Sequence, residues 1–174
     1  MNIMQLKTAA RAECDMMMRL FFTAGIVVIV DQLTKYIVLT TMPLNGSIAV
    51  IPGLFDLTHL HNPGGAFGFM ADKGPFIRKL LFIFFSGAAM ILVFYLYRKT
   101  PKNFTFLSFG LALIFGGAVG NMIDRIRMGK VVDFLDFYIN GIHWPAFNVA
   151  DSAVSIGVTI FVVHLLFNKL PKFD

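Results

Sequence analysis

The chain has 174 residues, 57% hydrophobic and 14% charged, with a formal net charge of +5. Soluble domains carry roughly 25% charged residues, so this composition, with a mean hydropathy of +0.73, excludes an ordinary soluble protein and points to an integral membrane protein. The basic residues are scattered among apolar runs, which argues against nucleic acid as a partner, and the single cysteine, Cys14, rules out an intrachain disulfide.

Lys7, Arg11 and Arg19 precede an apolar run in the order of a secretory signal. The run continues past Asp31 with no small-residue cleavage site, so the segment is expected to remain, with roughly the first fifteen residues outside the bilayer. Residues 20–39 give about 30 Å of helix at ~1.5 Å per residue, enough for a first span. Within it Asp31 and Lys35 stand at i, i+4 on one face, where they can pair and snorkel toward the interface. A mutual structural pair and a role in supporting a site both fit that spacing.

Residues 40–75 form the first extramembrane segment. Ser47–Ile51 and 54–60 are rich in β-branched and aromatic residues, and Pro52-Gly53 between them is a turn signal, so a short antiparallel sheet on the membrane is expected. It leads into His61-Asn62-Pro63-Gly64-Gly65-Ala66-Phe67-Gly68, where small residues let backbone approach a ligand closely. His59 and His61 lack a nearby cysteine or carboxylate set and read as strand residues, so neither a metal nor another cofactor is expected.

Residues 76–97 and 104–123 are the second and third spans. The Phe-rich body of the second reads as lipid-facing, and Gly116 and Gly120 of the third allow close helix approach. The apolar run 152–167 falls short of the ~17–25 residues a crossing needs. Including 148–151 repairs the deficit, giving a fourth span of about 148–168 with Asp151 near its mouth. Four spans put both termini on one side. The purely basic 98–102 connection assigns that side to the cytoplasm, and segments 40–75 and 124–147 then face outward. The expected fold is an α-helical polytopic membrane protein, one domain over 1–174, with four transmembrane helices and a small extracytoplasmic β-sheet.

Asp124, Asp133, Asp136 and Asp151 interrupt this apolar sequence, and an ionisable group at membrane depth is a functional hypothesis by default. Asn121, Asp124 and Arg125 share a helical face through i, i+3 and i, i+4 spacing. Val131–Ile139 reads as a strand, followed by an Asn140-Gly141 hairpin turn and a return over 142–146. Strict alternation puts Asp133 with Leu135, Phe137 and Ile139, an apolar setting that raises a carboxylate's pKa, and sends Asp136 to the opposite face toward solvent. Asn148 and Asp151 are i, i+3 at the mouth of the fourth span.

Strand and helix thus each offer one acid toward a common point. Two close carboxylates share a proton, so one can activate water while the other protonates a carbonyl or leaving group. Asparagines nearby can hold a peptide backbone, and Arg125 can brace the acids or anchor a headgroup. Acids satisfied separately by Arg125 or backbone amides, and a proton-coupled transporter, also fit these residues. Clustering at one outer edge, with no span broken at mid-depth, favours the dyad.

The stretches Asp31-Gln32-Leu33-Thr34-Lys35, Asn62-Pro63-Gly64-Gly65-Ala66-Phe67, Gly120-Asn121-Met122-Ile123-Asp124-Arg125, Val131-Val132-Asp133-Phe134 and Phe147-Asn148-Val149-Ala150-Asp151 run through nearly the whole chain. In these five ordered motifs the sequence resembles the bacterial lipoprotein signal peptidases, the type II signal peptidases. The resemblance implies an aspartic endopeptidase of the bacterial cytoplasmic (inner) membrane with an extracytoplasmic β-cradle. Its substrate would be a diacylglyceryl-modified prolipoprotein, cut just before the lipidated cysteine. It implies Asp133 and Asp151 as the catalytic pair and places Asn62, Gly64, Asn121, Asp124, Arg125 and Asn148 at supporting or substrate-contacting positions. Asp31 and Lys35 fall on a further motif. Gly65 stands where alanine is expected, and Pro63 where threonine-like residues are common. The chain is expected to act as a monomer in contact with membrane lipid.

Overall fold

The computed structural model describes residues 3–64 and 74–167. Gly65-Ala66-Phe67-Gly68 and the final residue of the expected fourth span lie outside the described residues. The elements run α1 (Ile3–Thr41), β1 (Ser47–Ile51), β2 (Phe55–Asn62), α2 (Pro75–Lys99), α3 (Thr105–Met128), β3 (Val131–Ile139), β4 (Ile142–His143) and α4 (Val149–Phe167). All four helices are long and apolar enough to cross a membrane.

Two helices outrun the apolar stretches that announce them. α1 begins at Ile3, so the polar N-terminal residues extend the helix rather than precede it. α3 continues past residue 123 to Met128, which puts Asp124 and Arg125 on its last turns. Gly129 stops it in the left-handed conformation at φ 72°, its N–H donating to Arg125 O at 3.0 Å.

α3 lies at the centre of the bundle because its glycines remove side chains where neighbours must come close. A Cβ at Gly116 would meet Ala24 and Val27 of α1, and one at Gly117 would run into the Ala150 carbonyl of α4. Small residues at such interfaces suit a bilayer, where packing rather than hydrophobic transfer drives association. Farther along, Leu20, Tyr97, Leu107 and Leu111 form a fully buried cluster that joins α1, α2 and α3.

The four strands form one antiparallel order, β1-β2-β3-β4. The Asn140-Gly141 turn has φ 52° and 76°, the signs a tight type I′ hairpin requires. β4 is only Ile142–His143; the expected return over 142–146 is cut short, and pairing resumes at an isolated bridge between Leu135 and Phe147. There Phe134 N and Leu135 N both donate to Phe147 O, at 3.0 and 2.8 Å, and Phe147 N donates to Leu135 O. This clasp fixes the residue just before Asn148 against β3. It therefore sets the distance between strand and α4.

Candidate active site

β3 carries Asp133 with its strand neighbours buried on both faces, Val132 and Phe134 packing with Val38 and Met42 of α1. Across the strands Asp133 is opposite Leu60, and Asn62 is opposite Val131, after a bulge in β2 between Leu57 and Leu60. Paired residues share a face, so Asn62 lies one diagonal step from Asp133. Its Nδ2 donates to Asp133 Oδ2 at 3.0 Å.

Asp151 is on the first turn of α4, and its position is fixed by a reciprocal cap. Asn148 Oδ1 accepts from Asp151 N at 2.9 Å, while Asp151 Oδ2 accepts from Asn148 N at 3.3 Å. Asn148 Nδ2 then reaches Asp133 Oδ1 at 2.8 Å. One buried asparagine thus caps the helix that carries one acid and binds the other acid directly.

The orientation of all three site asparagines follows from their oxygens. Asn62 Oδ1 accepts from Gly64 N, Asn148 Oδ1 from Asp151 N, and Asn121 Oδ1 from the Lys35 ammonium at 3.0 Å. Backbone N–H groups and an ammonium can only donate, so each amide must turn its NH₂ the other way. Asn62 and Asn148 donate to Asp133, and Asn121 Nδ2 donates to Asp151 Oδ1 at 2.7 Å.

Burial, and then the nearby Asp151 charge, push the Asp133 carboxyl up to about 6, against the opposing pull of the Asn62 and Asn148 donors and Lys35. Burial thus brings proton uptake at Asp133 closer to neutral pH than that of an ordinary aspartate. One oxygen can then receive a proton while another gives one.

Beneath the pair lies a buried ionic cluster. Lys35 Nζ is 2.8 Å from Asp31 Oδ2 and 2.9 Å from Asp124 Oδ2. Asp31 Oδ1 accepts from Ala150 N at 2.9 Å and Asp124 Oδ2 from Val132 N at 3.3 Å, so the cluster holds both chain segments that bear the acids. Asp31 and Lys35 are 0% and 2% exposed. The expected Asp31–Lys35 pair forms, but the snorkelling is overturned: Asp31 of α1 and Asp124 and Asn121 of α3 surround the ammonium, and the interior supplies the contacts that water would otherwise give. Gln32, which sequence reasoning passed over, donates to Asp31 Oδ2, Gly120 O and Asp124 Oδ1. A polar side chain in an otherwise apolar span was the available signal.

Asp136 is also corrected. It is buried rather than solvent-facing, because His143 of the short β4 folds back with Nδ1 3.0 Å from both its oxygens. Arg125 makes no contact as short as the asparagines' with either acid; its guanidinium lies 5.3 Å from the centre of the Phe82 ring. That ring also fills the space where Gly64, at φ 93°, would carry a Cβ. Phe82 of α2 therefore faces protein, in contrast to the lipid-facing role read from its Phe-rich surroundings. His59 Nδ1 bonds Met42 O and its Nε2 bonds His61 Nε2.

A sequence model of the family described as Signal peptidase (SPase) II matches residues 23–167. The chain is 54% identical over 155 residues to a lipoprotein signal peptidase of Desulforapulum autotrophicum, covering 89% of this chain and 96% of that protein. It is 46% identical over 144 residues to a lipoprotein signal peptidase of Geobacter sulfurreducens, covering 83% and 89%. A bacterial membrane enzyme solved by the in meso method at 1.9 Å superposes with a TM-score of 0.77 at 37% identity, over 86% of this chain and 94% of that one.

Proposed function

The chain belongs to the signal peptidase II family, and from that premise we propose that Asp133 and Asp151 are its catalytic pair. The protein is an aspartic membrane endopeptidase of the bacterial inner membrane. It removes the signal peptide from prolipoproteins by cutting before the diacylglyceryl-modified cysteine. The observation that carries the assignment of the pair is the set of three asparagines whose oxygens are already occupied, leaving every NH₂ to point at one of these two carboxylates.

In the reaction, the ionised carboxylate takes a proton from water as its oxygen attacks the scissile carbonyl carbon. The protonated carboxyl gives its proton to the carbonyl oxygen. Collapse of the tetrahedral intermediate breaks the C–N bond, and a proton passes to the departing amine. The products are the signal peptide's new carboxylate and the free α-amino group of the lipidated cysteine. Asn121, Asn148 and Asn62 hold the acids, Asp31, Lys35 and Asp124 brace the segments beneath them, and Gly64 and Arg125 border the site on Phe82. No cofactor enters this scheme.

The same reading makes residues 1–174 one peptidase domain acting as a monomer, with both termini cytoplasmic, the dyad near the extracytoplasmic surface and membrane lipid around the helices. A dyad at the membrane edge meets a substrate whose acyl chains and apolar signal helix both live in the bilayer. The test is cleavage of a diacylglyceryl-modified prolipoprotein by purified protein, beside its unmodified form. Only the modified form should be cut, and Asp133→Asn and Asp151→Asn should each lower the rate by at least ~10²–10⁴-fold while still folding. Appreciable turnover by either variant would sink the assignment.

A further inference from the structure

Cations that are scattered in the sequence gather in the fold at the end of the bundle nearest the dyad. Arg78 and Lys79, on the first turns of α2, join Arg127 and Lys130 at the C-terminal end of α3 in lining a cavity of about 410 Å³, with Phe76 and Met128 also in its walls. Among the described residues, none of the four pairs with a carboxylate. Lys79 Nζ donates to Ile126 O at 2.8 Å, satisfying a carbonyl that the end of α3 leaves open. That bond accounts for one ammonium and leaves the other three charges without such a role.

Short extracytoplasmic segments of inner-membrane proteins are ordinarily poor in lysine and arginine. On the outward orientation proposed above, on which this inference rests, these four charges stand where topology disfavours them. Four positive charges around one cavity attract an anion, and a guanidinium fits phosphate oxygens through two parallel N–H donors. The neighbouring surface of α2 is apolar and open, with Phe76 71%, Ile77 51% and Leu80 50% exposed. A free anion would make no use of that surface, whereas acyl chains would lie along it.

We propose that this cavity binds the phosphate headgroup of an anionic membrane phospholipid, with Arg78 and Arg127 as the bidentate donors, Lys79 and Lys130 as point charges, and the acyl chains against the exposed face of α2. Lys130 immediately precedes β3, whose first residue pairs with Asn62. The lipid therefore sits next to the strands that carry Asp133 and its donor Asn62.

Native mass spectrometry of the full chain, titrated with phosphatidylglycerol and phosphatidylcholine, tests this. Wild type should take up one phosphatidylglycerol in preference to phosphatidylcholine. Arg78→Gln, Arg127→Gln and Lys130→Gln should each weaken uptake about five-fold, and their combination more. An equal loss of charge at the other end of the bundle, Lys7→Gln with Arg11→Gln and Lys102→Gln, should leave uptake near wild type. If the triple variant fails to fold, the single variants carry the same expectation. Equal uptake of the two lipids, equal loss in the control triple, or complete displacement of the lipid by inorganic phosphate alone would each overturn the proposal. The readout needs no turnover, so its failure leaves the assignment of the dyad standing, and an inactive dyad leaves it intact.

Discussion

Asp133 is held by two amide donors yet buried beside another acid, and its proton affinity records which influence wins. An unfolded aspartate ionises near 3.8, whereas folded Asp133 does so at about 6. Between those values the folded chain holds a proton that the unfolded chain has lost, so the stabilising contribution is full below the lower value and lost as pH rises through the higher one. Asp133→Asn cannot ionise. Its stability relative to wild type, read from thermal unfolding, should therefore climb between about pH 4 and 6, approaching ~3 kcal/mol at ~1.4 kcal/mol per tenfold in proton affinity. One of the two amide donors then faces an NH₂, which offsets the gain by roughly 1 kcal/mol at every pH. A difference flat in pH would show that the acid is not desolvated. Asn62→Ala acts oppositely to a loss of burial: it removes a donor that favours the charged form, and the limb of the kcat/KM profile set by Asp133 should move to higher pH. A profile unmoved by Asn62→Ala would detach Asn62 from the dyad.

At the scale of elements, the Asp31–Lys35–Asp124 cluster fastens α1 to α3 and, through Ala150 N and Val132 N, to α4 and β3. Lys35→Met leaves two carboxylates buried together without their cation, which should cost about 3–5 kcal/mol. It also takes the ammonium from the Asn121 oxygen, leaving only the longer 3.3 Å bond from Asn148 Nδ2 to hold the amide that donates to Asp151, so surviving protein should cleave less well. The contrast is the Arg98–Glu13 pair, 3.8 Å apart with both side chains largely in the open. Arg98→Gln should change stability by no more than ~0.5 kcal/mol. Equal melting shifts for the two variants would mean that the buried cluster is not what joins these helices.

For the whole molecule, orientation decides from which side substrate and water would reach the proposed dyad. Cys14 is the only cysteine and is exposed toward the N-terminal end of α1, while Ile142 is 79% exposed on β4, just after the hairpin turn of the sheet. In intact cells an impermeant maleimide should leave wild type unlabelled and should label Cys14→Ser combined with Ile142→Cys. Labelling of Cys14 without permeabilisation would invert the proposed topology.

The sequence by itself determined the membrane class, the four helices, the strands through Val131–Ile139 and the acids worth suspecting. Length, apolar runs and two-residue alternation are local properties that need no partner. Family membership was equally legible, because five short motifs survive in order. Helix ends were less so: α1 and α3 extend into polar sequence because a helix continues until a residue such as Gly129 breaks its geometry, wherever the apolar run stops. Only the tertiary structure decided that Lys35 is buried, that His143 draws Asp136 inward, that Phe82 supports Gly64 and Arg125, and that four scattered cations surround one cavity. Each depends on groups brought together by chain packing. Sequence spacing defines which residues share a face of one element, but the partner that satisfies a charge or an amide comes from another element, and packing alone selects it.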